Sequence, residues 1–451
     1  MDDSESILQH TITSPGTDAM RRVEKGIIGS VRHLSRDIGA RTAGSKGERR
    51  AARFVERELE GMGLAVETQR FRAPATTAWS EALSHLVTVA GVLLFPVNTV
   101  LSYALVFLGF LFFLLEGFGR SPLAWASPRI QSENVIARIS PAREAETKLV
   151  LVAHLDSPRS AFYHRPGLAA MLRFLYLVDA TCQAALFMLF TVAFGGWLLS
   201  MERGRLDFLW YTGLMVAVPP FLAMLALFSK AIAGRDTPGG NLNASGVAVL
   251  LELARICSRH PLYKAELWFA FTGASEVAAL GVRKLVRRYR SRLRNAYFIV
   301  LEGVGRGFPA CCRREGRLIP FRANRRLLAL AKRTSQNYIH HGNGLVANNL
   351  YLGEGYHLIS RGHRAVTLCS REDSPLPRYW HWVKDDHLNV DSRSLRTSLD
   401  FLRAMVDAVD HGDFTRRKGM ARRDKRRSPA RAATRGPEAS REDGGDDGVM
   451  G

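Results

Sequence analysis

The stretch Pro238-Gly239-Gly240-Asn241-Leu242-Asn243-Ala244-Ser245-Gly246 decides how this chain is read. It is a glycine-rich turn that runs directly into the apolar segment 247–254, the form of a loop opening a buried helix. Leu242 stands at its centre. A Leu side chain has no lone pair, so this position offers nothing to a metal ion.

On both sides of that loop the chain alternates between two periodicities. Val23, Ile27, Val31, Leu34 and Ile38 recur at helical spacing, as do Ala51, Phe54, Val55, Leu59 and Met62, and Gly61 and Gly63 stop the second helix. Strand-like runs follow at 66–71, 134–139, 149–153, 267–272, 298–301 and 365–368, with helical stretches between several of them. This alternation predicts an α/β fold, a mostly parallel mixed sheet covered by helices.

Polar motifs end or follow these strands in a fixed order: VAHLDS at 152–157, TPGGNLNASGVAVLLELAR at 237–255, FAFTGASEVAALGVRKLV at 269–286, IVLEGVG at 299–305 and YWHWVKDDHLNVD at 379–391. In that order they resemble the co-catalytic zinc exopeptidases, family twenty-eight of the metallopeptidases, which include bacterial aminopeptidases and glutamate carboxypeptidases. The opening 38–71 resembles the family's first helices and first strand, and SENVIARI at 132–139 its second strand. In such a centre two zinc ions share a bridging carboxylate, and a neighbouring Glu takes a proton from the water held between them.

Carried over position by position, the resemblance implies that His154 stands where one metal has its imidazole ligand, with Asp156 steering that ring. Glu276 matches the carboxylate ligand of the other metal and His381 its imidazole, while Glu302 replaces an Asp ligand with a side chain one methylene longer. Leu242 replaces the bridging Asp, and Ser275 replaces the general base. No catalytic position is therefore intact. The remnant set His154, Glu276, Glu302 and His381 leaves each metal two protein ligands, fewer than catalytic zinc normally has, so zinc is expected at most as one weakly held ion. Asp236 precedes the altered loop and is a candidate to reach in. Asp385, four residues after His381, either caps backbone or touches a ligand. Cys311 and Cys312 are read as ordinary thiols, since no second cysteine pair accompanies them.

Two apolar blocks interrupt this domain. Residues 82–115 carry no formal charge unless His85 protonates, and include VTVAGVLLF and SYALVFLGFLFFLL; a span needs about 20 residues, so two helices turning near 96–98 are expected. A second pair is expected at 175–201, where Asp179 is the only charge before the flank, and at 208–229, which contains Pro219-Pro220. The expected organisation is a discontinuous zinc-exopeptidase-like domain over 21–81, 119–170 and 232–413. Transmembrane hairpins occupy 82–118 and 171–231, and a disordered basic-then-acidic tail covers 414–451.

Four spans leave everything else on one side. Arg70, Arg72, Arg120, Arg129, Arg165, Arg173, Lys230 and Arg235 flank them there, which predicts a cytoplasmic domain and termini at a bacterial inner membrane. The net charge of +21 then suits anionic lipid, through the flanks and tail, and makes nucleic acid an unnecessary partner. The functional expectation is a membrane-anchored pseudo-peptidase that binds a peptide, a lipid headgroup or a protein partner. The alternative is an active zinc-dependent aminopeptidase with a non-standard metal site.

Overall fold

A computed structural model describes residues 17–336, 344–348, 350–372 and 376–412. The tail expected at 414–451 lies outside them. Eleven strands occur among the described residues: β1 (Val66–Pro74), β2 (Arg129–Ile139), β3 (Thr147–His154), β4 (Arg159–Ser160), β5 (Arg235–Asp236), β6 (Ala265–Thr272), β7 (Tyr297–Leu301), β8 (Phe308–Glu315), β9 (Phe321–Arg322), β10 (Leu345–Asn348) and β11 (Arg364–Arg371). Nine of them make one sheet in the order β1-β2-β6-β3-β7-β11-β8-β10, with β9 beside β8; β4 and β5 form a separate short ladder.

Each of the six expected strands forms, usually longer than its apolar run. The expectation of a mostly parallel sheet needs correction. Neighbours are parallel at the centre, β6-β3-β7-β11, and again between β10 and β8, but β1/β2, β2/β6, β11/β8 and β8/β9 are antiparallel. Apolar runs mark segments that are buried on both faces, and they carry no information about the direction of a neighbour.

Helices Thr17–Arg32, Lys46–Gly61, Ser245–Arg259 and Ser392–Asp410 pack together over the sheet, and Leu280–Arg288 and Glu354–Ile359 pack against each other and other strands. The core between these layers is continuous: Leu149 to Ala153 of β3 are all fully buried, as are Phe269, Ala270 and Phe271 of β6. Burial at this scale contributes roughly 1.5–3 kcal/mol for each large apolar side chain.

The apolar blocks form a bundle of their own. Its helices are Ala78–Leu94, Thr99–Gly117, Leu172–Leu198, and the pair Arg203–Val216 and Val218–Ala233, bent by 40° at their junction. Asn98 caps the second helix by accepting the Leu101 amide at 2.9 Å, which fixes the turn expected near 96–98. Small residues let the first two helices cross closely, since a Cβ on Gly91 would lie 2.8 Å from the Val106 nitrogen. Thr99–Gly117 and Leu172–Leu198 are long and apolar enough to cross a membrane, and the bent pair would make a third candidate if it acts as one span. Ala78–Leu94, with 17 residues, is shorter. Between the helices lie Val92, Val106, Leu186 and Phe190, whereas Leu93, Phe107, Met188, Leu198, Phe208, Met215 and Leu222 point outward and are exposed.

Candidate functional site

The carboxyl ends of the parallel strands gather the polar motifs, as open α/β sheets favour. β3 ends at His154, the turn after β6 carries Ser275 and Glu276, and Glu302 follows β7. Opposite them, the 379–391 segment brings in His381. Its Nε2 lies 3.7 Å from Glu276 Oε2, and its ring stacks on Trp380 with centroids 3.9 Å apart. Left-handed backbone at Ala274, Tyr379 and His381 shows that local conformation is sacrificed on both sides of the cleft to aim these side chains.

Buried carboxylates hold the loops in place. Asp156 is fully buried and accepts the amides of Ser275 and Glu276, each at 2.9 Å. Its carboxylate is 3.5 Å from His154 Nδ1, while the Asp156 carbonyl, at 2.9 Å, is the nearer partner of that nitrogen. Asp385 accepts the amides of Asn241 and Leu242 at 2.8 and 3.1 Å, so it caps the altered loop. Glu48 accepts Ala274 N at 2.8 Å and Gly44 N at 2.6 Å. Arg41, 1% exposed, ties these parts together, donating to the Leu155 and Gly239 carbonyls and to Asn243 Oδ1, each at 3.1 Å. Asn243 in turn donates to the Asp156 carbonyl at 2.6 Å.

Leu242 itself is 1% exposed and sits in an apolar cluster with Tyr351 and Trp380, against which Leu172, Leu350 and Leu376 pack. Leu172 is the first residue of the long apolar helix Leu172–Leu198. The apolar bundle thus packs against the cluster that occupies the position where the resemblance implies a metal bridge. Lys230, near the end of the Val218–Ala233 helix, lies within electrostatic reach of Glu276 and Glu81.

Across from this cluster the groups are ionisable. Burial raises the Glu302 carboxyl to about 8 and those of Glu276 and Glu354 to about 7, with His154 opposing the shift in each case. Burial works against a charged His154, but the carboxylates of Asp156, Glu276 and Glu354 together outweigh it and raise the imidazole to about 10. Burial, reinforced by His164 and Lys230, pushes His381 well down.

A pair of zinc ions needs an oxygen ligand between them and several donors on each. Here the central position is hydrocarbon, His154 Nδ1 and the Asp156 carboxylate face backbone partners, and no three His, Cys, Asp or Glu side chains among the described residues converge as a metal cage. These residues do not fit a dinuclear zinc centre.

Asp236 does not reach the loop: it is exposed, pairs with Arg159 at 3.6 Å and belongs to the β4/β5 ladder, which holds it outside the cleft. Cys311 and Cys312 are free, buried thiols of β8, with Cys312 Sγ 3.9 Å from Cys369 Sγ. Three cleft residues escape sequence reasoning. Glu354 is buried and accepts the Thr272 hydroxyl at 2.6 Å. Its signal is the Gly353-Glu354-Gly355 triplet, because a Cβ on Gly353 would lie 2.6 Å from Glu302 Oε2. His164, buried with its ring 5.2 Å from that of His381, follows the ladder strand β4, and Arg41 is a single Arg in a loop. Nothing local in the sequence marks either one.

Residues 229–406 match the sequence profile of Peptidase family M28. No curated protein matches the chain by sequence. Among solved structures, the chain is similar to an aminopeptidase from Aneurinibacillus sp. strain AM-1, with 15% identity, a TM-score of 0.51, and 86% of this chain and 94% of that one covered. It is similar as well to a Zn-dependent exopeptidase from Parabacteroides distasonis, with 13% identity, a TM-score of 0.50, and 86% and 97% covered. A zinc aminopeptidase from Bacillus subtilis matches with 13% identity, a TM-score of 0.50, and 85% and 94% covered. At such identities the structures speak for the fold alone: the α/β part of this chain has a zinc-exopeptidase-like fold, and its residues 229–406 are similar to peptidase family M28.

Proposed function

We propose that this chain is a membrane-anchored pseudo-peptidase whose inherited cleft binds a ligand without hydrolysing it. One observation carries the reading. Leu242 occupies the bridging position and is enclosed by Tyr351, Trp380 and the first residue of an apolar helix, so the hydrocarbon there is part of a packed cluster. Ser275, at the position of the base, has a hydroxyl where a carboxylate would have to take a proton from water.

The ligand reaches the cleft at the bilayer surface, as a peptide, a lipid headgroup or a segment of a partner protein. In support, Leu172 of the apolar bundle packs against the Leu242 cluster, and Lys230 of the same bundle lies within electrostatic reach of Glu276. The outward apolar residues of the bundle are costly in water and favourable in lipid. In this reading 82–118 and 171–231 form two hairpins with four spans, the domain of 21–81, 119–170 and 232–413 is cytoplasmic, and basic flanks contact anionic lipid at an inner membrane. Any zinc is one weakly held ion on the pair Glu276 and His381. The second reading, an active aminopeptidase with an unusual centre, draws on that surviving pair.

The test is metal content and activity of the full chain purified in detergent. The expected result is far less than two equivalents of zinc and no chelator-sensitive cleavage of aminoacyl substrates; stoichiometric dinuclear zinc with such cleavage overturns it. Leu242→Asp combined with Ser275→Glu should then bind more zinc than the native chain. A reporter fused at the C-terminus tests the orientation separately, and a periplasmic signal would reject it.

A further inference from the structure

The stretch Arg287-Arg288-Tyr289-Arg290-Ser291-Arg292-Leu293-Arg294 ends the Leu280–Arg288 helix and forms the turn that leads to β7. Tyr289 and Leu293 anchor it. Both are buried, the Leu293 amide donates to the Tyr289 carbonyl at 2.9 Å, and the Tyr289 ring meets Trp268 edge-on with centroids 5.1 Å apart. With those two side chains pinned inward, Arg287, Arg290, Arg292 and Arg294 are left exposed on the outside of the turn.

Two more exposed arginines join them by direct contact. Arg364, at the start of β11, donates to the Asn295 carbonyl at 3.3 Å, and Arg326, in the first turn of the Arg325–Ser335 helix, donates to the Tyr297 hydroxyl at 3.1 Å. The carboxylate of Glu67 is taken by Arg288 at 2.7 Å and Arg138 at 3.3 Å. Among the described residues, no ion pair uses any of the other arginines named here.

This surface lies at the end of the sheet away from the bundle. β7 runs from Tyr297 to Leu301 and delivers Glu302 to the cleft, so the arginines sit at its opposite end. The bundle joins at the cleft end, where Leu172–Leu198 follows β3 and Val218–Ala233 runs into the Leu242 loop. Five residues of strand put about 16 Å between the two ends, roughly twice the screening length of physiological salt. Lipid around the bundle therefore does not neutralise these groups. Their mutual repulsion works against the fold, and a partner of opposite sign turns it into binding.

We propose that Arg287, Arg290, Arg292, Arg294, Arg326 and Arg364 bind the phosphate backbone of a nucleic acid without reading its bases. Arginine alone supplies the charge, and its planar fork matches phosphate oxygens, which an ammonium meets only as a point charge. Phosphates also recur at a short, fixed spacing along their chain, which a run of arginines can follow. The rings beside these arginines, Tyr289 and Tyr297, are 7% and 4% exposed, so neither is offered for a base to stack on. Such binding is independent of what the cleft does; the separation from lipid alone rests on the bundle lying in a membrane.

The full chain in neutral detergent is titrated into a fluorescein-labelled RNA of mixed sequence, and anisotropy is read at several salt concentrations with polyglutamate of equal charge as competitor. Saturable binding that weakens with salt and barely depends on base sequence is expected. R290Q/R292Q/R294Q should weaken it by about tenfold or more and lower the slope of log affinity against log salt by about two, since each phosphate contact on a single strand contributes about 0.7. R50Q/R53Q/R57Q, which removes the same charge from exposed positions of the Lys46–Gly61 helix, should leave the slope nearly unchanged. If the first triple does not fold, R326Q/R364Q carries the test with a slope change of about one. No binding, surface variants that bind like the native chain, or an equal loss in R50Q/R53Q/R57Q overturns the proposal. Displacement of the RNA by an equal concentration of polyglutamate assigns an acidic protein segment instead and overturns it as well.

Discussion

The wall of the cleft around Leu242, in the turn that opens the Ser245–Arg259 helix, is sealed with hydrocarbon, whereas the wall around His154, at the end of β3, is crowded with ionisable groups. What separates them is the partner of each side chain. Asp156, Asp385 and Glu48 each accept at least two backbone amides, so losing any of them strands buried N–H groups. A bridging carboxylate would have metal ions as its partners, whereas Leu242 has an apolar cluster. Asp156, Asp385 and Glu48 are thus carboxylates that the backbone itself needs.

Four substitutions would break or sharpen that contrast, beginning with the largest expected effect. Asp156→Ala strips the acceptor from Ser275 and Glu276 and should cost about 4 kcal/mol, read as a loss of melting temperature in detergent. A near-neutral result would mean that the backbone does not explain its retention. Glu315 extends the contrast to pH, since it is buried on β8, accepts the Thr367 hydroxyl at 2.8 Å, and burial raises it from 4.5 to about 7. A carboxyl raised in the folded state stabilises fully below its unfolded value, and that stability is lost as pH rises through the folded one. Glu315→Gln should therefore flatten a decline of about 3 kcal/mol between about pH 5 and pH 8. A stability profile that keeps its slope in the variant would assign the decline elsewhere.

On the apolar wall, Leu242→Ala opens a cavity beside Tyr351 and Trp380, and should cost about 2.5 kcal/mol. If that variant instead gained stability from added zinc, the two walls would be less different than their packing implies. Asp236→Ala removes an exposed pair with Arg159 and should change stability by less than about 0.5 kcal/mol. A larger loss would show that the β4/β5 ladder supports the cleft after all.

Much of this was legible before any coordinates. The apolar runs at 149–153 and 267–272 marked central strands because both faces of those strands are covered, and 82–115 marked a helical hairpin because its length and missing charges suit little else. The polar motifs placed His154, Glu276, Glu302 and His381 at one end of the sheet. Asp385 could be read as a cap or a contact, and its two amide bonds make it a cap. Strand direction at the sheet edges was not legible, nor were Glu354, His164 and Arg41. Their roles come from residues far away in the chain: Arg41 meets Asn243, and Glu354 meets Thr272.

By itself, the sequence determined which segments are apolar enough to be core or bundle, and that a side chain without lone pairs stands at position 242, where the resemblance implies a bridging carboxylate. Apolarity and the lack of a lone pair are carried by each residue wherever the chain goes. Only the tertiary structure decided that Leu172 of the bundle packs against the cluster around Leu242, that Asp236 pairs with Arg159 in the short ladder, and that Arg41 meets Asn243. Such juxtapositions arise when elements distant in sequence pack, and local pattern does not encode which surfaces will meet.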